Sequence, residues 1–117
     1  LATRSLIAVR RGPNDIVSIY CHYDGYPGGV GSVLLRHYNS AEAAESIVAL
    51  GDLSTLEEAT DLCKKLSDPF SADSLPLLEK ARRACAEYVY IYAEGQWHVC
   101  EANDDMTWKP LSGVIAC

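Results

Sequence analysis

The chain has 117 residues, 49% of them hydrophobic and 22% charged, which suits one domain spanning residues 1–117 with a modest core and excludes two ordinary domains. Sixteen acidic residues against ten basic ones give a formal charge of −6, which argues against a nucleic-acid backbone as the ligand and favours a basic protein partner. No run approaches the ~20 apolar residues of a membrane span. The first residues also lack the basic-then-apolar order of a secretory signal, so the expectation is a soluble cytoplasmic protein with no membrane contact. The five cysteines, Cys21, Cys63, Cys85, Cys100 and Cys117, are odd in number and form no C-x-x-C pair. Reduced thiols, with no structural metal and no cofactor, are the simpler expectation.

Residues 3–10 and 15–22 are short, apolar and β-branched, and Arg11-Gly12-Pro13-Asn14 between them carries turn signals, so the chain opens on a hairpin. With Arg10 opposite Asp15, Leu6, Ala8, Val17, Ile19 and Cys21 share one face and Ile7, Val9, Ile16 and Tyr20 the other. Both faces are apolar, so both need cover. Residues 23–31 form a loop with four glycines. Residues 30–38 read as a short helix burying Val30, Val33, Leu34 and Leu35. Asn39 with Glu42 predicts a capping box for a second helix over 40–50, closed by Gly51.

Ser54 with Glu57 repeats the capping signature, and Leu56, Ala59, Leu62, Cys63 and Leu66 predict an amphipathic third helix over 55–66. A fourth helix is predicted over 74–86, with Pro76 in its first turn and Leu77, Leu78, Ala81, Ala84 and Cys85 inward. Residues 87–93 and 96–101 then make a second hairpin about Glu94-Gly95, pairing Tyr92 with Trp97, Tyr90 with Val99, Ile91 with His98 and Val89 with Cys100. The tail holds Asp104-Asp105, Trp108 and Pro110, and Gly113-Val114-Ile115-Ala116 reads as an edge strand or a docked terminus. The order predicts an α+β two-layer sandwich: a mainly antiparallel four-stranded sheet of two hairpins, with about four helices between the hairpins.

Several runs resemble a group of small bacteriophage and prophage proteins of uncharacterised function: Thr3-Arg4-Ser5-Leu6-Ile7, Ile19-Tyr20-Cys21-His22-Tyr23-Asp24-Gly25-Tyr26-Pro27, Leu35-Arg36-His37-Tyr38, Leu50-Gly51-Asp52-Leu53-Ser54 and Glu87-Tyr88-Val89-Tyr90. The chain departs from that pattern in its middle, where residues 55–66 replace a longer polar insertion. The resemblance implies a phage setting inside a bacterial cytoplasm and supplies no catalytic residues. Small acidic proteins of this kind often occupy a host protein or ribonucleoprotein complex. Components of bacterial defence such as CRISPR effectors are among those targets, which makes an anti-CRISPR or other host-defence inhibitor the expected role.

Four constellations carry chemistry. Cys21, His22 and Asp24, with His98, are the residue types of a nucleophile, base and orienter, and outline a hydrolytic or small-molecule site. Consecutive strand residues face opposite ways, so a core thiol at Cys21 and a hydrogen-bonded strand-end histidine at His22 are the simpler reading. The glycine loop before a helix suits an anion such as a nucleotide, yet it matches no phosphate-loop motif and has no nearby lysine. His98 and Cys100, near His22 or Cys21, have metal-ligand chemistry, and a satisfied sheet face is the simpler account of them.

The fourth constellation is aromatic and acidic. Tyr20, Tyr23, Tyr26, Tyr88, Tyr90, Tyr92, Trp97 and Trp108 combine apolar area with polar tips, as binding hot spots do, while the Tyr88/Tyr90/Tyr92 and Trp97 stripe serves equally as half of a core. Glu42, Glu45, Glu57, Glu58, Asp61 and Asp104-Asp105 form a solvated surface or, gathered on one side, an imitation of a nucleic-acid backbone for a basic channel. The leading expectation is a non-enzymatic protein that binds and inhibits a host protein through Tyr23, Asp24, Tyr26, Pro27, Glu57, Glu58 and Trp97. Its basis is a sheet with more apolar surface than its helices can hide, which self-association as a homodimer would also cover.

Overall fold

An antiparallel pair whose two faces are both apolar has to acquire neighbours on its edges and layers on both sides, and the sheet is built accordingly. The computed structural model of the chain describes residues 2–66, 76–102 and 107–115. Strands β1 (Ser5–Gly12) and β2 (Asp15–Cys21) form the first hairpin, and β5 (Tyr88–Ala93) and β6 (Gln96–Glu101) the second. The hairpins join through β1 and β5, which run parallel with Ser5 opposite Tyr88 and Val9 opposite Tyr92. A parallel pair needs a long crossover, and the chain between β2 and β5 supplies it.

Two short segments, β3 (Leu53–Thr55) and β4 (Lys64–Lys65), extend the sheet beyond β2, and β7 (Lys109–Pro110) extends it beyond β6. The result is a seven-stranded mixed sheet in the order β4-β3-β2-β1-β5-β6-β7. It replaces the expected four-stranded, mainly antiparallel one, while the α+β class stands. Two lysines at one edge and a proline at the other discourage further strand addition.

Four helices accompany the sheet among the described residues: α1 (Ser32–His37), α2 (Ala41–Val48), α3 (Leu77–Arg83) and α4 (Leu111–Val114). They lie on both faces, which corrects the two-layer arrangement. One cluster joins Ile7, Ile19, Cys21, Tyr90, Trp97 and Val99 of the sheet to Leu34, Ala44, Ile47 and Leu111 of α1, α2 and α4. The other joins Leu6, Tyr20, Val89 and Cys100 to Ala81 and Ala84 at α3. The buried amine of Lys80 fastens α3 to β2, donating to Ser18 O at 2.9 Å and to Ser18 Oγ at 3.0 Å. The sheet faces are thus roofed by the chain's own helices, which corrects the expectation of a sheet with more apolar surface than its helices can hide. Among the described residues, the large exposed apolar side chains, Ile16, Tyr23, Tyr26, Leu62, Leu78, Trp108 and Val114, belong mainly to loops and element ends.

Local corrections have identifiable causes. In the first hairpin Gly12 opposes Asp15 and Arg10 opposes Ile16, so Arg11 is the extra residue of a bulge and the register lies one residue from the expected one. Ile7 and Val9 therefore share a face with Val17, Ile19 and Cys21, and Leu6 and Ala8 with Tyr20. The bulge sends Arg11 across to Glu45 of α2, with Nη2 and Oε1 2.6 Å apart, and this cation holds the Glu45 carboxyl below its usual range. The second hairpin has the expected register throughout, from Ala93 opposite Gln96 to Val89 opposite Cys100.

The predicted helix over 30–38 divides into a π-helical turn, Pro27–Gly31, and α1. The cap of α2 is Ser40, whose Oγ accepts from Ala43 N at 3.1 Å, in place of Asn39. The third predicted helix, over 55–66, is absent: the segment forms β3, a 3₁₀ turn at Thr60–Leu62, and β4. The open edge of β2 decides this, since His22 N donates to Leu53 O and Tyr23 N to Ser54 O, both at 3.0 Å. Leu62, which the helical pattern would bury, is 53% exposed. Gly113 and Val114 belong to α4 in place of an edge strand, and the start of the fourth predicted helix, Asp104-Asp105, Ala116 and Cys117 lie outside the described residues.

Helix α3 ends in a Schellman arrangement in which Cys85 N donates to Arg82 O and Ala86 N to Ala81 O, leaving Cys85 left-handed at φ +57°. Glycine is the usual occupant of that position because it carries no Cβ. Cys85→Gly should therefore raise the unfolding free energy by about 1 kcal/mol, seen as a higher urea midpoint at unchanged m-value.

Candidate functional site

Between the end of β2 and the start of α1 the chain makes a tightly closed loop. Asp24 adopts φ +58°, and its carbonyl accepts from Val30 N at 2.8 Å; Gly29 N donates to Tyr26 O and Gly25 N to Thr3 O, both at 2.9 Å. Close approach explains two of the glycines. A Cβ on Gly29 would stand 2.3 Å from Asp24 O, and one on Gly25 would stand 2.7 Å from Thr3 O.

Core aromatics hold this loop from below. Tyr90, wholly buried, donates its hydroxyl to Gly25 O at 2.6 Å. Trp97 Nε1 donates to Tyr38 O at 2.9 Å, and Tyr38 Oη donates in turn to Glu57 O at 2.7 Å. Glu57 N donates to Cys63 Sγ at 3.2 Å, so the backbone at 57 is fixed on both sides. Burial raises the Tyr38 and Tyr90 phenols well above their ordinary pKa and keeps them neutral donors.

The outcome is a recess of about 250 Å³ lined by Tyr23, Asp24, Tyr26, Val33, Leu56 and Glu57, with Gly28, Gly29, Val30 and Ser32 completing it. Tyr23 and Tyr26 are 46% and 45% exposed. Among the described residues, neither the Asp24 nor the Glu57 carboxylate has a hydrogen-bond or ion-pair partner.

The structure thus brings together Tyr23, Asp24, Tyr26 and Glu57 of the predicted binding set. Pro27 opens instead onto a neighbouring hollow of about 480 Å³ with Tyr88, Val99 and Lys109. Glu58 is exposed outside the recess, and Trp97, 1% exposed, is a core residue whose ring packs edge-on against Tyr92 with centroids 5.3 Å apart. Leu56 and half-buried Val33 also line the recess; the sequence pattern buries both, and Leu56 is indeed buried, though not on a helix.

Cys21, His22, Asp24 and His98 do not converge. Cys21 is fully buried on the α1/α2 side, where its thiol donates to Tyr23 O at 3.6 Å and burial pushes its pKa up to about 12. His22 turns the other way, with Nδ1 2.7 Å from the Tyr20 hydroxyl. His98 donates from Nε2 to Ala93 O at 3.1 Å and lines a separate groove with Ile16, Leu77, Leu78 and Trp108. Among the described residues, no three His, Cys, Asp or Glu side chains gather as metal ligands would. Three amides of the glycine loop bond within the chain, and two acidic residues belong to the recess lining, so it presents a poor surface to phosphate.

Comparison with protein-family models, curated proteins and solved structures yields no match to this chain. Among the described residues no helix is long and apolar enough to cross a membrane.

Two expectations follow from this geometry. Cys21 and Cys100, whose thiols burial raises to about 12 and about 11, should stay protonated and resist alkylation at pH 8 in the native state. Among the described cysteines, peptide mapping should find exposed Cys85 modified first and these two only in denaturant. Tyr38→Phe strips the donor from Glu57 O and should cost about 1–2 kcal/mol by chemical denaturation.

Proposed function

We propose that this chain is a non-enzymatic binding protein that docks on a basic surface of a host protein through the rim of Tyr23, Asp24, Tyr26 and Glu57. The observation that carries the reading is a pair of half-exposed tyrosines beside two carboxylates without partners among the described residues, on backbone tethered to the sheet. Tyrosines of this kind bury large area at small entropic cost, and a rigid loop spares the ordering that mobile interfaces must undergo. The net charge of −6 adds long-range attraction toward a basic partner. The resemblance to phage and prophage proteins supports a bacterial partner, within which a defence complex inhibited by occupation is the specific proposal. Dispersal of the Cys21, His22, Asp24 and His98 side chains, and the protonated state of Cys21, favour binding over hydrolysis.

The test is affinity capture from bacterial lysate with the wild-type chain and with a Tyr23→Ala/Tyr26→Ala variant of equal thermal stability. The wild type should retain a discrete protein that the variant releases, with affinity reduced about 30-fold or more, as for a hot-spot pair. Retention should also weaken with added salt. Undiminished capture by the variant would remove the rim from the reading.

A further inference from the structure

The recess at the centre of that rim has the size and chemistry for one side chain. Its volume of about 250 Å³ falls below the roughly 300–1,000 Å³ of pockets that enclose drug-sized ligands. Its walls divide by type: Val33 and Leu56 are apolar, Tyr23 and Tyr26 are aromatic, and Asp24 and Glu57 are anionic. These walls suit an occupant that combines a short apolar stem with a cationic head that tolerates aromatic contact.

The aromatic and acidic wall residues are also held in place, the two acids through their backbone. Tyr23 N donates to Ser54 O, and its ring meets His22 edge-on with centroids 4.5 Å apart. A Cβ on Gly28 would touch the Tyr26 ring at 3.8 Å, which places that ring over the glycine. Asp24 is locked by Val30 N on its carbonyl, and Glu57 by Tyr38 and Cys63 on its two backbone groups. These contacts are independent of the charges, and together they give the recess a fixed frame.

Resting on the protein-binding reading, we propose that the recess receives the guanidinium of a partner arginine, its methylenes against Val33 and Leu56 and its N–H groups directed to Asp24 and Glu57. Arginine fits better than lysine because its head is planar, weakly hydrated and able to stack on tyrosine while donating to two carboxylates.

The test uses the whole ¹⁵N-labelled chain titrated with the capped peptide acetyl-Gly-Gly-Arg-Gly-Gly-amide, alongside the same peptide with lysine or with citrulline, the uncharged isostere of arginine. Arginine peptide should give saturable shifts at residues 23–29 and 56–57, with a Kd on the order of millimolar, as suits a single side chain. Citrulline should bind about tenfold more weakly, and lysine should fall between the two. Asp24→Asn and Glu57→Gln, which preserve shape, should each weaken the arginine peptide about tenfold, and Tyr26→Ala about two- to fivefold.

Equal response to citrulline, shifts located elsewhere, or no response up to the solubility limit would overturn the arginine assignment. Should one carboxamide variant fold poorly, the other tests the same contact by the same titration. Partner capture that depends on Tyr23 and Tyr26 without any arginine response would defeat this proposal and leave the protein-binding reading standing. Arginine binding without a captured partner would do the reverse.

Discussion

Large aromatic side chains fill a small core efficiently, but each tyrosine or tryptophan brings a polar group that cannot be left without a partner inside. Tyr90, Trp97 and Tyr38 are all buried, and all three donate to backbone carbonyls that lie outside the strands. The need to satisfy these donors is what ties surface to core. Tyr90 fixes Gly25 in the glycine loop, Trp97 fixes the end of α1, and Tyr38 relays the constraint to Glu57. The two segments that meet at the recess are therefore positioned by one aromatic network rising from β5 and β6.

The parallel pairing of β1 with β5 gives that network its reach. Because β1 is central, its odd-numbered residues pack beside those of β2 under α1 and α2, while β5 and β6 present Tyr90 and Trp97 to the same side. Two separate antiparallel hairpins would hold the aromatic ladder apart from the β2 loop. Joined through β1, they bring the Tyr90 hydroxyl within 2.6 Å of a carbonyl 65 residues earlier in the chain. The opposite face is held more economically, by the small side chains of Ala81 and Ala84 and the Lys80 amine on Ser18.

Legibility in the sequence follows how local the determining contacts are. The second hairpin is readable to the residue because Glu94-Gly95 takes two positive φ values, +54° and +79°, and a two-residue turn leaves no freedom of register. The first differs by one residue because the bulge at Arg11 leaves no clear signature in Arg11-Gly12-Pro13-Asn14. Residues 55–66 satisfy a helical template, yet the unpaired edge of β2, far back along the chain, outweighs that propensity; such a partner is invisible to a local window. The aromatic stripe is visible, whereas its allocation to core is not: Trp97 reads the same exposed or buried until the sheet order is known. Of the recess, Tyr23, Asp24 and Tyr26 are accessible because they share one unusual loop. Glu57 stands out as an acidic residue, though its place beside them depends on a thiol and a phenol elsewhere in the chain.

Charge bears on the site in the same structural way. A net charge of −6 spread evenly would favour no particular face, but pairing is uneven. Glu45 is engaged by Arg11 at 2.6 Å and Glu79 by Arg83 at 3.1 Å, so these acids contribute little field at a distance. Asp24 and Glu57 have no such partner among the described residues, and both belong to the lining of the recess. Val30 N on Asp24 O, Tyr38 Oη on Glu57 O and Glu57 N on Cys63 Sγ fix the backbone of both residues, so the fold sets two acidic residues at the lining of one small recess. Uncompensated charge on fixed backbone is what supports the proposed recognition of a cation at this end of the molecule.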